Sequence, residues 1–136
     1  MNIISEAKSW VGTPYHHQAR IKGVGVDCAN LIAGIFEECG FIPINLEPYS
    51  LQWHLHNKEE KMINILLSYG CLKVDTNDPS PGQIITFQMG KVSGHIGIMV
   101  DNERFIHADI YANKVVEVTF GGVWKRRLSG VFNANI

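Results

Sequence analysis

Between Asp27 and Gly40 the chain carries its clearest local signal. Ala29, Leu31, Ile32, Ile35, Phe36 and Cys39 recur at helical spacing and make one broad apolar face. Asp27 is a good N-cap for that helix, and Gly40 supplies its stop. Ile3, Ile4, Ala7 and Val11 predict a shorter helix over 2–11, ended by Gly12-Thr13-Pro14, and residues 15–26 read as a loop with glycines at 23 and 25. Residues 43–50, with two prolines, read as a connector. A third helix is predicted over 52–68, with Leu55, Met62, Ile65 and Leu66 inward and Gly70 at its end. The texture changes after the turn Pro79-Ser80-Pro81-Gly82. IITF (84–87), HIGIMV (95–100), RFIHA (104–108) and KVVEVTF (114–120) are short, rich in β-branched or aromatic residues and separated by turn signals, and Gly130-Val131-Phe132 reads as a last strand. Helices followed by an antiparallel meander is the α+β pattern.

The length of 136 residues fits one domain, 1–136, with one modest core. A net charge of -1 leaves no electrostatic footprint for nucleic acid, and Lys125-Arg126-Arg127 reads as a solvated face. No apolar run approaches a membrane span, and MNIISEAKSWVG lacks the apolar stretch of a signal peptide. The expectation is synthesis in a cytosol, with export by another route. Three cysteines, Cys28, Cys39 and Cys71, argue against a disulfide framework. With no C-x-x-C or H-x-x-x-H spacing, neither a metal site nor a cofactor is expected.

Cys28 falls in the first turn of the second helix, where unpaired backbone N–H groups and the positive end of the macrodipole favour a thiolate and can hold an oxyanion. Its thiol is therefore expected to titrate well below the ordinary value of about 8.5. Position alone does not separate a nucleophile from a small buried hydrophobe. Cys39 and Cys71, among apolar neighbours, read as core. A thiol nucleophile needs a base, and the base an orienting group. His95 begins one strand and His107 ends the next, so a turn at Asp101–Glu103 puts both on one face at the same end of the sheet. One would face the thiol while the other bonds its Nδ1–H and fixes its tautomer. His16, His17, His54 and His56 are given no catalytic role.

The order of these residues resembles the NlpC-type cell-wall cysteine peptidases. WVGTPYHHQARIKGVGVDCANLIAGIFEECG resembles their nucleophile region, with a GTPY-like turn and an Asp-Cys pair opening a helix. PGQIITF resembles their proline-glycine-aspartate strand, with Gln83 in the Asp position, and GHIGIMVDNERFIHA resembles the strand pair bearing two histidines. The departures are Ala29-Asn30 where the family has Ser-Gly, and Gly94 directly before the histidine, with Ser93 one further back. The resemblance implies a papain-like fold in which the nucleophile helix packs on an antiparallel sheet. It implies Cys28 as nucleophile, His95 as base and His107 as orienter, with Tyr15, Asp27 and Ser93 around the oxyanion and substrate. It further implies an endopeptidase acting on peptidoglycan stem peptides, typically at the bond from the γ-carboxyl of D-glutamate to a diamino acid. TPYHHQARIKGVGVDC and WKRRLSGVF look more narrowly like phage and gene-transfer-agent tail peptidases, which would add tail proteins as partners and place the protein in a virion tail or at the wall. The alternatives are a silent tail-assembly or wall-binding module on the same fold, and an amidase or acyltransferase using the same triad.

Overall fold

The computed structural model describes residues 2–41 and 60–134. Helix α1 (Ile3–Ser9) is capped by Asn2, whose side chain accepts from the N–H groups of Ile4 and Ser5. The segment read as a loop contains a two-stranded ribbon, β1 (Arg20–Ile21) and β2 (Gly25–Val26). Each strand is two residues long, too short to leave a period in the sequence. Helix α2 (Cys28–Glu38) starts at the predicted cap, and Asp27 accepts from Asn30 N–H. Leu31, Ile32, Ile35 and Phe36 are fully buried, each worth about 1.5–3 kcal/mol in apolar area removed from water. Gly34 lets α1 approach α2, since a Cβ there would lie 2.6 Å from the Trp10 ring.

Helix α3 (Lys61–Ser68) buries Met62 and Leu66; the part of the predicted helix over 52–59, with Leu55, and the connector over 43–50 lie outside the described residues. Six strands then form one sheet: β3 (Leu72–Val74), β4 (Ile84–Met89), β5 (Val92–Met99), β6 (Arg104–Asp109), β7 (Lys114–Thr119) and β8 (Leu128–Asn133), in the order β3-β8-β4-β5-β6-β7. The meander expected from the sequence holds for β4 to β7. The last strand departs from it, returning to lie between β3 and β4. Between β7 and β8 the chain forms a short helix, α4 (Gly122–Arg127), which the sequence reading lacked.

Strand alternation divides the interior in two. Ile84, Ile96, Ile98, Ile106, Ala108 and Phe132 face the helices, while Ile85, Phe87, Met99, Phe105 and Val131 form a second cluster completed by Val118, Phe120, Trp124 and Leu128. Two bulges flank Phe87. It pairs with His95, but Gln88 pairs with Ser93, so Gly94 is an extra residue on β5. On the other side Thr86 pairs with Gly130 and Phe87 with Leu128, leaving Ser129 extra on β8. Such bulges re-aim side chains, and here they part His95 from Ser93.

Candidate active site

Cys28 opens α2 and is nearly buried, 8% exposed. The backbone N–H groups of Ala29, Cys28 and Ile96 act on its thiol in the direction that favours the thiolate. The Ile96 N–H is available because β5 and β6 are paired at Ile98↔Ile106 and Met99↔Phe105, and pairing is not continued towards His95. The sulfur therefore feels an N–H of the residue immediately after His95, where the two strands part.

His95 and His107 meet as the alternation predicted. His95 Nε2 and His107 Nδ1 lie 2.7 Å apart, with the rings nearly perpendicular. This corrects the expected tautomer assignment: the orienting contact takes His95 Nε2, so it is Nδ1 that is left for the thiol. When His95 Nε2–H donates to His107 Nδ1, His95 Nδ1 is a bare acceptor and His107 carries its proton on Nε2. His107 is 1% exposed, and its Nε2 has no hydrogen-bond partner among the described residues.

Aromatic rings pack against the half-buried His95 and the buried His107, a feature absent from the sequence expectations. His95 stacks on Phe87 at 5.9 Å, His107 on Phe105 at 4.8 Å, and Trp124 of α4 touches both histidines, at 5.7 and 4.9 Å between ring centres. Burial, and then His107, lowers the His95 pKa to about 3; burial lowers that of His107 to about 4, against the opposing pull of Asp109.

The expected low-pKa thiol is overturned. Burial, and then the Asp27 carboxylate beside it, pushes Cys28 up to about 12, outweighing the three N–H groups that favour the thiolate. The residue that caps α2 thus offsets the helix field at the sulfur. The resting pair is a neutral thiol and a neutral imidazole, and no hydrogen bond joins Sγ to His95 among the described residues. Catalytic contacts of this kind often tighten only when substrate is bound.

Of the three residues expected around the oxyanion, two are engaged elsewhere. Tyr15, half-buried, bridges to Val26, and its phenol pKa is raised by burial, then by Cys28 and Asp27, so its hydroxyl keeps its proton and can donate. Asp27 is instead fully buried as a structural acceptor. Its Oδ1 receives Asn30 N–H and Nδ2–H, both at 2.9 Å, and its Oδ2 receives the Gln18 N–H at 2.7 Å with His17 Nδ1 at 3.8 Å. A carboxylate engaged in this way holds the loop to the helix and repels a developing oxyanion. Ser93 is also corrected. The Gly94 bulge sends it away from His95 into a buried hydroxyl chain, 2.7 Å from Ser129 Oγ, which lies 3.0 Å from Thr86 Oγ1. Its N–H donates to Glu60.

His16 is exposed in the loop before Cys28, and His54 and His56 lie outside the described residues. Cys71 is buried and Cys39 half-buried in the packing of α2. Among the described residues, no group of three or more His, Cys, Asp or Glu is placed to hold a metal ion, and no helix is long and apolar enough to cross a membrane. Lys125, Arg126 and Arg127 are exposed in the last turn of α4, where cations suit the helix C-terminus.

A thiol on a helix N-terminus and a histidine pair on the adjoining sheet are the features the resemblance pointed to, and residues 12–133 match the NlpC/P60 family. The chain belongs to the NlpC/P60 family of cysteine peptidases. It is similar to the protein named "Probable endopeptidase NlpC" of Escherichia coli (strain K12), with 26% identity over 130 residues, covering 93% of this chain and 67% of that one. It is also similar to the Gamma-DL-glutamyl hydrolase of Bacillus subtilis (strain 168), 23% identical over 133 residues, covering 95% of this chain but only 28% of the relative. The solved NlpC/p60 domain of the peptidoglycan hydrolase SagA superposes with a TM-score of 0.66 at 14% identity, covering 95% of this chain and 93% of that chain. These likenesses establish the α+β fold with helices packed on an antiparallel sheet.

Proposed function

We propose that this protein is a cysteine endopeptidase that hydrolyses peptidoglycan stem peptides, at the bond joining the γ-carboxyl of D-glutamate to a diamino acid. The observation that carries the reading is the pairing of His95 Nε2 with His107 Nδ1 at 2.7 Å, one residue before the Ile96 N–H that acts on the Cys28 thiol. Family membership and the similarity to proteins named as an endopeptidase and a γ-glutamyl hydrolase support the substrate class.

The chemistry follows from the resting charges. Because thiol and imidazole are both neutral, attack and proton transfer are coupled: Sγ adds to the amide carbon as His95 Nδ1 takes the thiol proton. The oxyanion is met by the Cys28 N–H and the Tyr15 hydroxyl. Collapse expels the amine, which leaves with the proton from His95. Water then attacks the thioester, giving a proton to His95, and the acid is released with Cys28 restored to its thiol. His107 acts throughout as the acceptor that holds His95 in one tautomer.

The finer reading places the protein in a phage or gene-transfer-agent tail, delivered with tail proteins to the wall; it is supported by the resemblance of TPYHHQARIKGVGVDC and WKRRLSGVF to that subgroup. The deciding experiment is mass spectrometry of muropeptides from a diaminopimelate-type wall. Wild type should release fragments cut after γ-D-glutamate, and Cys28→Ala should lose several orders of magnitude in rate. Unchanged fragments from Cys28→Ala would refute the mechanism. Products cut only at the sugar–peptide amide would move the reaction to an amidase.

A further inference from the structure

Trp124 lies on the shortest α-helix among the described residues, opened by Gly121 and Gly122, yet it makes four aromatic contacts. Its ring lies at 30° to His95 and at 73° to His107, so one indole covers both members of the hydrogen-bonded pair. Phe87 and Phe105 cover the pair from the sheet, at 5.0 and 5.6 Å from the same indole. Phe120 belongs to this cluster but packs on Phe87 and Phe105 and has no ring contact with either histidine among the described residues. Among the described residues His107 Nε2 is buried with no hydrogen-bond partner, and the Phe105 and Trp124 rings pack against its imidazole.

We infer that Trp124 is a positioning residue: its indole seals the His95–His107 hydrogen bond from water and so keeps the pair neutral and each ring in a single tautomer. The physical argument is local. An imidazolium at His107 would lose hydration inside this packing, and the ring edges and faces of Phe105 and Trp124 replace little of it. Water let in by removing the indole would hydrate the charged form and open the His95–His107 bond to competition. The depressed pKa values of both histidines agree with this enclosure. The other titratable groups near the pair are Cys28 and Tyr15 on the helix side, Asp109 at the end of β6, and Lys125 to Arg127 on α4, whose side chains are exposed.

The catalytic consequence rests on the hydrolase reading, so the test has an arm that needs no turnover. Full-length protein carrying Cys28→Ala is labelled with 15N-histidine and titrated by NMR with Trp124 intact, as Trp124→Phe, as Trp124→Leu and as Trp124→Ala, with Phe120→Ala as the packing control. The expected result is a rise of at least about one pH unit in the His95 and His107 midpoints in Trp124→Ala and Trp124→Leu, with mixed tautomer shifts. Trp124→Phe should stay near the parent, and Phe120→Ala should keep midpoints and tautomer. In the active protein, Trp124→Leu should lower kcat about tenfold with KM within about twofold, and move the acid limb of kcat/KM upward. Should Trp124→Ala not fold, Trp124→Leu carries the test. Unshifted midpoints and tautomer in a folded Trp124→Leu, or an equal shift in Phe120→Ala, would overturn the inference. A shift in the NMR arm with no wall hydrolysis by wild type would leave the role of Trp124 standing and sink the hydrolase reading.

Discussion

His95 Nε2 meets His107 Nδ1 at 2.7 Å, and Gly97 on β5 lets that strand lie close against Phe105 and Ile106 of β6. A Cβ on Gly97 would lie 3.0 Å from the Ile106 carbonyl and the Phe105 ring and 3.5 Å from His107 Cβ. The contact makes His107 an acceptor, and that role can be separated from its bulk. His107→Asn keeps an oxygen that can accept from Nε2–H; His107→Ala keeps nothing. We expect His107→Ala to lose about 10²-fold or more in kcat and His107→Asn to recover much of it, with KM little changed. Steady-state kinetics on a purified stem peptide checks this, and equal losses in the two variants would rule the acceptor role out.

The same enclosure fixes how stability depends on pH. His95 and His107 have folded pKa values of about 3 and about 4, below the unfolded value of about 6.5. Below pH about 6.5 the unfolded chain binds protons that the folded chain refuses. Stability is therefore full above that pH and declines as pH falls, until the folded values are reached. For His107, 1% exposed, the limiting effect is about 3 kcal/mol. Cys28 acts on the other side. Its folded value of about 12 lies above the ordinary thiol value of about 8.5, so stability declines as pH rises through the interval between them. Urea unfolding across pH should show a plateau at about 6.5–8.5. The acid flank should flatten in His107→Asn and the alkaline flank in Cys28→Ala.

Local chemistry made α2 and the histidine pair legible in the sequence. Asp27, Gly40 and the spacing of Leu31, Ile32, Ile35 and Phe36 specify a helix beginning at Cys28, and a short turn at Asp101 with period-two alternation puts residues 95 and 107 on one face. What stayed hidden depends on groups distant in sequence. Trp124 sits in a six-residue helix after Gly121 and Gly122, with no period to announce it, and its partners Phe87 and Phe105 come from other strands. The Gly94 bulge, which turns Ser93 away from His95, exists only against β4. The Cys28 shift runs against the expected direction because helix position favours a thiolate while burial, a property of the packed chain, opposes it more strongly.

Asp27 offers a direct test of that competition. The caps and loop contacts it makes are structural, and its charge raises the thiol pKa. Asp27→Asn keeps one oxygen for the Asn30 N–H but loses the acceptor for the Gln18 N–H. We expect a loss of about 1–2 kcal/mol in stability. The midpoint of iodoacetamide labelling at Cys28 should move down at the same time. A protein less stable yet with a more readily ionised thiol is the signature. An unchanged labelling midpoint would show that the Asp27 charge does not reach the sulfur.

Gly34 sets two opposing effects against each other in the middle of α2. Alanine is the better helix former by about 1 kcal/mol, so intrinsic propensity alone makes Gly34→Ala stabilising. The space argues the reverse. The added Cβ would lie 2.6 Å from Trp10 Cζ2 and 2.7 Å from its Cη2, and Trp10 is held in place by the hydrogen bond from its Nε1–H to Glu6 at 2.9 Å. Glu6 is in turn paired with Lys22 at 2.6 Å, so the ring cannot swing without breaking a buried contact. Overpacking of this kind costs about 1–3 kcal/mol. We therefore expect Gly34→Ala to destabilise by about 1–2 kcal/mol in urea unfolding. Replacing the indole as well, in Gly34→Ala with Trp10→Leu, should make the added methyl neutral or favourable relative to Trp10→Leu alone. If Gly34→Ala were stabilising in the wild-type background, α1 and α2 would not be packed as closely as the Trp10 contact requires.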